Sequence, residues 1–494
     1  MSKLKKGVVV LFAALLIAVF VPALSGCGGG DIFSGLSLYT LRITLHEDGQ
    51  GIDVAMSLDY RNNYNVELSE LHFNLHANAF REDAQYRPVS AADMANAFPN
   101  GESFGGIDIA SVSVNGTNTA VEITGQDYNV LRVPFANALM PTHRTVIDMQ
   151  FSVRLANVRH RLGWYNNLIN LGNFFPIAAI FQNGEFATNV YYYIGDPFFS
   201  TAANFDVSIT KPANLIAAMS GRTYREVTSG AATTTAKIYG ARDFAIVLGE
   251  FEVLTETVDD IEVRYYFHND SEAAKNLQAA VDSIVTFSDM FGAYPWETFS
   301  TVQTAFLHGG MEYPALTMIS DELEGDVFRE VIIHEAAHQW WYAVVGSDQV
   351  RHGWIDESLT QMATSLFFEA NPQYGVTYEE RMAEALSMLS LYAQAFRNQP
   401  GFTTAMDRPL SEFSNSLEYV VMAYYKGKIM LDTLRIQIGN EAFMLAMRTL
   451  YQDNMFGIIT PELVIAAFET ASQRQLAPFF NAWLDGSIQV FGNN

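Results

Sequence analysis

Two histidines four positions apart, His334-Glu335-Ala336-Ala337-His338, with Glu357 nineteen residues beyond the second, constrain this chain more than any other feature. On an α-helix, positions i and i+4 share a face, so His334 and His338 present two imidazoles to one point. Glu335 stands about 100° further round the helix. It is placed to take a proton from water and poorly placed to ligate. The fold must therefore supply a helix with an inward-facing polar stripe, and a second element that carries a third ligand to it. Two imidazoles and a carboxylate, with a fourth position left for water, make a catalytic zinc site.

The surroundings decide whether the pattern is more than chance. Val331, Ile332 and Ile333 precede the motif, and Trp340, Trp341, Val344 and Val345 follow it. The spacing predicts a buried helix, stopped at Gly346 as a C-terminal glycine stops many helices. Buried imidazole and carboxylate groups are unfavourable unless paired or bound to metal, so two idle histidines in a core helix would be physically awkward. Glu357 alone would read as a solvated first-turn residue, because the helix dipole favours acids there. It opens a second apolar helix that runs to about Ala370, before Asn371-Pro372. Beside two histidines that need a third partner, the ligand reading takes precedence.

These residues resemble the aminopeptidase N-type gluzincin metallopeptidases, the family that also contains the leukotriene hydrolases. The family pattern of H-E-x-x-H-Q-W followed by W-x-x-E is met by His334 to Trp340 and by Trp354 with Glu357. Gly309-Gly310-Met311-Glu312-Tyr313 is similar to the G-x-M-E-N exopeptidase motif, and Tyr424-Tyr425-Lys426-Gly427 to the Y-x-K-G segment. The resemblance implies one Zn2+ per chain on His334, His338 and Glu357, Glu335 as general base and Tyr424 as the catalytic tyrosine. It implies a substrate pocket at Gly309, Gly310, Met311, Glu312 and Tyr313, with Tyr419 matching a second tyrosine found in part of the family. Glu312 would hold the substrate's α-ammonium. A polar residue of the N-terminal half would assist it, with Gln182, Glu185 and Asp196 as candidates. Tyr313 in place of asparagine, followed by Pro314, departs from the pattern and puts the detailed shape of that pocket in question. Leu71 to Phe80 and Ala241 to Ala245 extend the resemblance into the N-terminal half.

Charge and the N-terminus bound the partners. A formal charge of −25 with no competing basic patch argues against nucleic acid or anionic membrane as an electrostatic partner. Lys3, Lys5 and Lys6, an apolar run from Val8 to Val21, and Leu24-Ser25-Gly26-Cys27 read as a lipoprotein signal peptide over 1–26. Cys27 is the only cysteine of the chain. Its thiol would take a diacylglycerol, leaving 27–37 as lipidated residue and tether and the protein anchored outside a bacterial cytoplasmic membrane. No other thiol exists for disulfides or zinc.

The expected fold class is α+β. Residues 38–255 alternate apolar and polar residues between turn signals. Leu38 to Leu45 and Ile52 to Tyr60 form a hairpin pattern; Val112 to Ile123, Val146 to Val153, Phe205 to Ile209 and Ala236 to Val247 read as further strands of an antiparallel β-domain. Residues 256–494 read as a thermolysin-like, mainly helical catalytic domain. Its helices are expected near 271–291, 326–345, 357–370, 377–397, 416–437, 440–452, 460–472 and 476–485. The large C-terminal helical domain of many relatives is expected to be missing, which would leave the cleft more open. The functional expectation is a zinc aminopeptidase acting on peptides. The alternatives are an endopeptidase or non-peptide hydrolase on the same zinc, and a catalytically silent lipid-anchored binding protein.

Overall fold

Strict alternation along Leu38–Leu45 and Gly51–Arg61 buries every second side chain, and the two strands pair antiparallel with Leu41 opposite Met56. This is the hairpin that the sequence predicts, and it seeds an eight-stranded sheet. The strand order is 222–228, 231–241, 203–212, 38–45, 51–61, 144–154, 106–114 and 117–118. One pairing departs from the expected antiparallel pattern: Leu38–Leu45 runs parallel to Ala203–Pro212, with Leu41 opposite Val207. The computed structural model describes residues 33–488. The signal peptide, Cys27 and most of the expected tether lie outside the described residues. Two four-stranded sheets and a small hairpin complete the β-rich half.

The predicted strand 236–247 is two strands, Ala231–Ala241 and Ile246–Gly249, which belong to different sheets. The chain breaks at Arg242-Asp243, both buried: the Arg242 side chain serves the neighbouring helical layer, and Asp243 accepts from Asn173 and the Phe244 N–H within the β-rich half. From Glu252 the pattern changes to a five-stranded mixed sheet ordered 252–258, 261–267, 298–304, 316–320 and 310–311. Helix Ala273–Phe291 packs over it, and the motif helix Gly325–His338 packs against that helix and against the sheet edge. The edge strand Gly310–Met311 pairs antiparallel with Leu316–Ser320 and lies beside the motif helix. The second helix of the site, Trp354–Ala370, crosses behind, and helices Tyr378–Phe396, Gly427–Ile438, Asn440–Asp453, Pro461–Ser472 and Ala477–Leu484 close the layer. From Leu36 on, these elements form one compact unit with a single large apolar core.

Gly346 does not stop the motif helix by a left-handed turn. The α-helix ends at His338 and widens into a π turn over Gln339–Val344, where Trp341 leaves helical angles. Gly346 is needed for close approach instead. A Cβ there would lie 2.3 Å from the Arg242 guanidinium. Arg242 donates 3.0 Å hydrogen bonds to the carbonyls of Tyr342 and Val344 and a further bond to Gly457, so a buried cation caps the end of this helix. Placing positive charge at a helix C-terminus is favourable.

Candidate metal centre and active site

The helical spacing does what it predicts. His334 Nε2 and His338 Nε2 lie 3.1 Å apart, and Glu357 Oε2 lies 3.6 Å from the first and 3.5 Å from the second. A tetrahedral ion with bonds of about 2.05 Å needs ligand atoms about 3.3 Å apart. The three atoms therefore form one nearly equilateral face of the required size. Glu357 Oε2 is buried and has no hydrogen-bond partner. A second group of possible ligand atoms, from Glu312, Glu335 and His338, overlaps the first through the shared imidazole.

Electrostatics agree with a cation at this point. Four carboxylates, Glu312, Glu335, Asp356 and Glu357, are buried around the two rings. Among the described residues none of the four pairs with a lysine or arginine. Burial raises Glu312 to about 7, with the charges of Asp196 and Glu357 adding to the effect. Burial also pushes Glu335 and Asp356 well above the usual carboxylate range, helped by Glu312 and Glu357 respectively. Glu357 goes the other way: burial opposes its charge, but the two imidazoles facing it at 3.5 and 3.6 Å outweigh burial and hold it low. Burial lowers His334. At His338 burial is overcome by the Glu312 and Glu357 carboxylates, which raise it. Uncompensated buried acids of this density demand positive charge, and a divalent ion fits the donor set.

The outer nitrogens of both rings are held by the helix that carries Glu357. Thr360 Oγ1 lies 3.1 Å from His338 Nδ1, and Gln361 Nε2 lies 3.4 Å from His334 Nδ1. Gln361 Oε1 is buried without a partner. Turning that amide over gives the oxygen a donor and leaves His334 Nε2 free as a ligand. Sequence reasoning missed both residues, although their positions three and four residues beyond Glu357 place them on its face of the helix.

Glu335 faces the edge strand. A Cβ on Gly310 would sit 2.3 Å from Glu335 Oε1 and 2.6 Å from its Cδ, whereas one on Gly309 would only reach Val331 at 3.6 Å. Gly310 is thus the glycine that the site requires. Glu312 Oε1 accepts from Gln349 Nε2 at 3.1 Å. Gln339 closes the segment: it accepts from the Ala315 N–H at 2.8 Å and donates to the Tyr313 carbonyl at 3.2 Å. That pins Ala315, which adopts a φ of 58° directly after Pro314.

Tyr424 stacks on His334 with ring centroids 5.8 Å apart, and its hydroxyl donates to Glu357 Oε1. It sits in a second π turn, Val420–Lys426. The buried Lys426 anchors this turn by donating to the carbonyls of Thr404 and Trp483. Two of the expected pocket residues are engaged inside the protein. Tyr313 turns away into the β-rich half, where its hydroxyl donates to Asn173 Oδ1 at 2.7 Å over Gly172, whose Cβ would leave it no room. Tyr419 is buried under Tyr424, edge-on at 5.9 Å, with its hydroxyl on the Gly353 carbonyl at 3.3 Å. Met311 is buried as well. Of the three candidates in the N-terminal half, Gln182 and Glu185 pair within the small hairpin. Asp196 is the one whose charge reaches Glu312, and it is held by Arg161 at 2.6 Å.

Comparison with known proteins follows the same lines. Residues 275–483 match the peptidase family M1 domain. Aminopeptidase M1-B of Oryza sativa subsp. japonica is 23% identical over 301 residues, which cover 57% of this chain and 34% of that protein. Aminopeptidase N of Streptomyces lividans is 24% identical over 207 residues, 39% of this chain and 24% of the other. The chain thus spans about a quarter to a third of the length of these curated relatives. A mutant of the M1 zinc metallopeptidase from Deinococcus radiodurans, solved with a Tyr-Ser-Ala substrate, shares the fold. Its TM-score is 0.65 at 16% identity, over 93% of this chain and 95% of that one.

Proposed function

We propose that this chain, whose residues 275–483 match the peptidase family M1 domain, is a zinc-dependent aminopeptidase of the aminopeptidase N type, removing residues from the free N-terminus of peptides. The observation that carries this reading is the triangle of His334 Nε2, His338 Nε2 and Glu357 Oε2, with Glu335 and Glu312 beside it. His334, His338 and Glu357 would hold the ion. A bound zinc supplies a Lewis acid that polarises the scissile carbonyl and lets water attack near neutral pH.

The chain's own residues do the rest. Glu335 takes the proton of the attacking water and passes it to the departing amine. Its aim is fixed by the motif helix on one side and by the bare backbone of Gly310 on the other. Tyr424 turns its hydroxyl from Glu357 to the carbonyl oxygen as that oxygen gains charge, a contact worth roughly 3–4 kcal/mol in hydrolases. Glu312 pairs with the α-ammonium of the substrate, and Asp196 adds a second negative charge to that end of the cleft. Thr360 and Gln361 fix the two imidazoles. A structural neighbour carries a Tyr-Ser-Ala substrate, the ligand class proposed here. The departure at Tyr313 favours no endopeptidase, since that ring lies in the interior between the two halves.

The test is turnover of aminoacyl-p-nitroanilides by zinc-loaded protein, against the same compounds with acetylated amines. Release from the free amine alone supports the reading; equal release from both contradicts the exopeptidase role of Glu312. Membrane anchoring through Cys27 is a separate proposal, supported by the Leu24-Ser25-Gly26-Cys27 sequence and the apolar run before it. Labelling with a radioactive fatty acid tests it: wild type should carry label and Cys27→Ser none.

A further inference from the structure

Gln349 opens the short helical turn Gln349–His352 and is buried between the Glu312 strand and the start of the Glu357 helix. Its Nε2 donates to Glu312 Oε1 at 3.1 Å and to Asp356 Oδ2 at 2.6 Å. Its own Oε1 is buried without a partner. Two carboxyl oxygens face this amide, and its NH2 group donates to both. The turn is itself rigid. Asp348 accepts from the N–H groups of Val350 and Arg351 and from the Arg351 guanidinium at 2.8 Å.

Glu312 has no other side-chain hydrogen bond among the described residues. A carboxylate that must meet an ammonium ion needs a set direction, and Gln349 is the side chain that supplies it. The same amide grips Asp356, whose neighbour in sequence is Glu357. One side chain therefore spans the amine-binding carboxylate and the backbone that carries the metal-facing one. Gln349 thereby fixes the spacing between the two points where the proposed reading puts a substrate's amino group and its scissile carbonyl.

We propose that Gln349 is a positioning residue that sets this spacing and so makes the site select α-amino acyl termini over homologues with one more methylene, such as β-alanyl termini. The inference rests on reading Glu312 as the ammonium partner. Without the bridge, Glu312 is free to take other rotamers. Binding of an α-ammonium then weakens, while a longer terminus loses little. Among the described residues the water-activating Glu335 shares no hydrogen bond with Gln349, so kcat should change far less than KM.

The experiment uses Gln349→Met, which keeps length and volume and removes the donor. KM and kcat are measured for L-alanyl- and β-alanyl-p-nitroanilide, with zinc content and the calorimetric affinity for alaninamide alongside. The expected result is a rise in KM for the α-substrate, and a matching loss of alaninamide affinity, of at least about tenfold. kcat should stay within about threefold, zinc should remain bound, and the α-to-β ratio of kcat/KM should fall by at least about tenfold. An unchanged KM and ratio would overturn the proposal, and so would a fall in kcat with KM held. If the methionine variant does not fold, Gln349→Asn keeps the NH2 one methylene short and should raise KM by at least about threefold; wild-type behaviour there overturns it equally. Wild-type turnover in the same assay separates the two levels. If it is absent, the reading of Glu312 fails and the proposal with it. If it is present, an insensitive variant defeats the proposal alone.

Discussion

Replacing Gly310 by alanine should disable Glu335 without touching the metal site. The new Cβ would stand 2.3 Å from Glu335 Oε1 and 2.6 Å from both Cδ and Cγ, where ordinary contact begins at 3.4 Å. Three successive atoms of the side chain are involved, so rotation of the carboxylate alone cannot relieve the clash. Glu335 or the edge strand must shift by about 1 Å, and displacement of a reacting group on that scale costs about a hundredfold in rate, or about 2.7 kcal/mol of transition-state stabilisation. Neither glycine has a left-handed backbone, so strain in φ adds nothing. The neighbouring Gly309→Ala is the control, because its Cβ meets only Val331 at 3.6 Å. Measured side by side on an aminoacyl-p-nitroanilide, Gly310→Ala should retain zinc and lose about a hundredfold in kcat. Gly309→Ala should stay within about twofold. Near-normal turnover by Gly310→Ala, or equal loss in both variants, would refute the role assigned to the Glu335–Gly310 contact.

Other consequences are independent of that one. Thr360→Val removes the partner of His338 Nδ1 and should weaken zinc binding by about 10–100-fold, read by chelator competition, while Thr360→Ser should stay close to wild type. Arg242→Met removes the guanidinium from the carbonyls of Tyr342, Val344 and Gly457, of which the last two keep only their backbone donors, Phe456 and Gly346. Even after relief of a buried charge, the loss should be roughly 3 kcal/mol in urea unfolding, and an unmoved midpoint would count against the capping role. His352 donates to Asp407 across 2.6 Å, and that partner outweighs burial and raises the imidazole above its ordinary value. The folded pKa is the higher one, so the pair's stabilisation is complete below about pH 6.5 and disappears as pH rises through the raised value. For a partly exposed pair it should be at most about 1 kcal/mol. The melting-temperature gap between wild type and His352→Asn should accordingly narrow on the alkaline side.

Much of this was legible because it is local. Alternation located the strands 38–45, 51–61, 144–154 and 203–212 within a few residues, and helical spacing located both site helices. Alternation says which face is buried but not which strand lies alongside, so the parallel pairing of 38–45 with 203–212 was invisible. Apolar density also cannot separate an α-helix from a π turn, so the segments 339–344 and 420–426 look like plain helix in the sequence. Gly346 and Gly172 illustrate a second limit. Each is glycine because a side chain distant in sequence, Arg242 or Tyr313, occupies the space. Motif alone assigns Tyr313 and Tyr419 to the pocket, and it carries no information on the partners that packing gives their hydroxyls, Asn173 and the Gly353 carbonyl. Thr360 and Gln361 carried a usable signal, since they share the face of Glu357. Gln349 carried none, because its meaning depends on two carboxylates brought together only by the fold.

A crystal structure of the zinc-loaded protein with anomalous data at the zinc edge tests the whole account most directly. One peak is expected, about 2.0–2.2 Å from His334 Nε2, His338 Nε2 and a Glu357 carboxylate oxygen. No peak inside that triangle, or a single peak ligated by Glu312 and Glu335 instead, would contradict it.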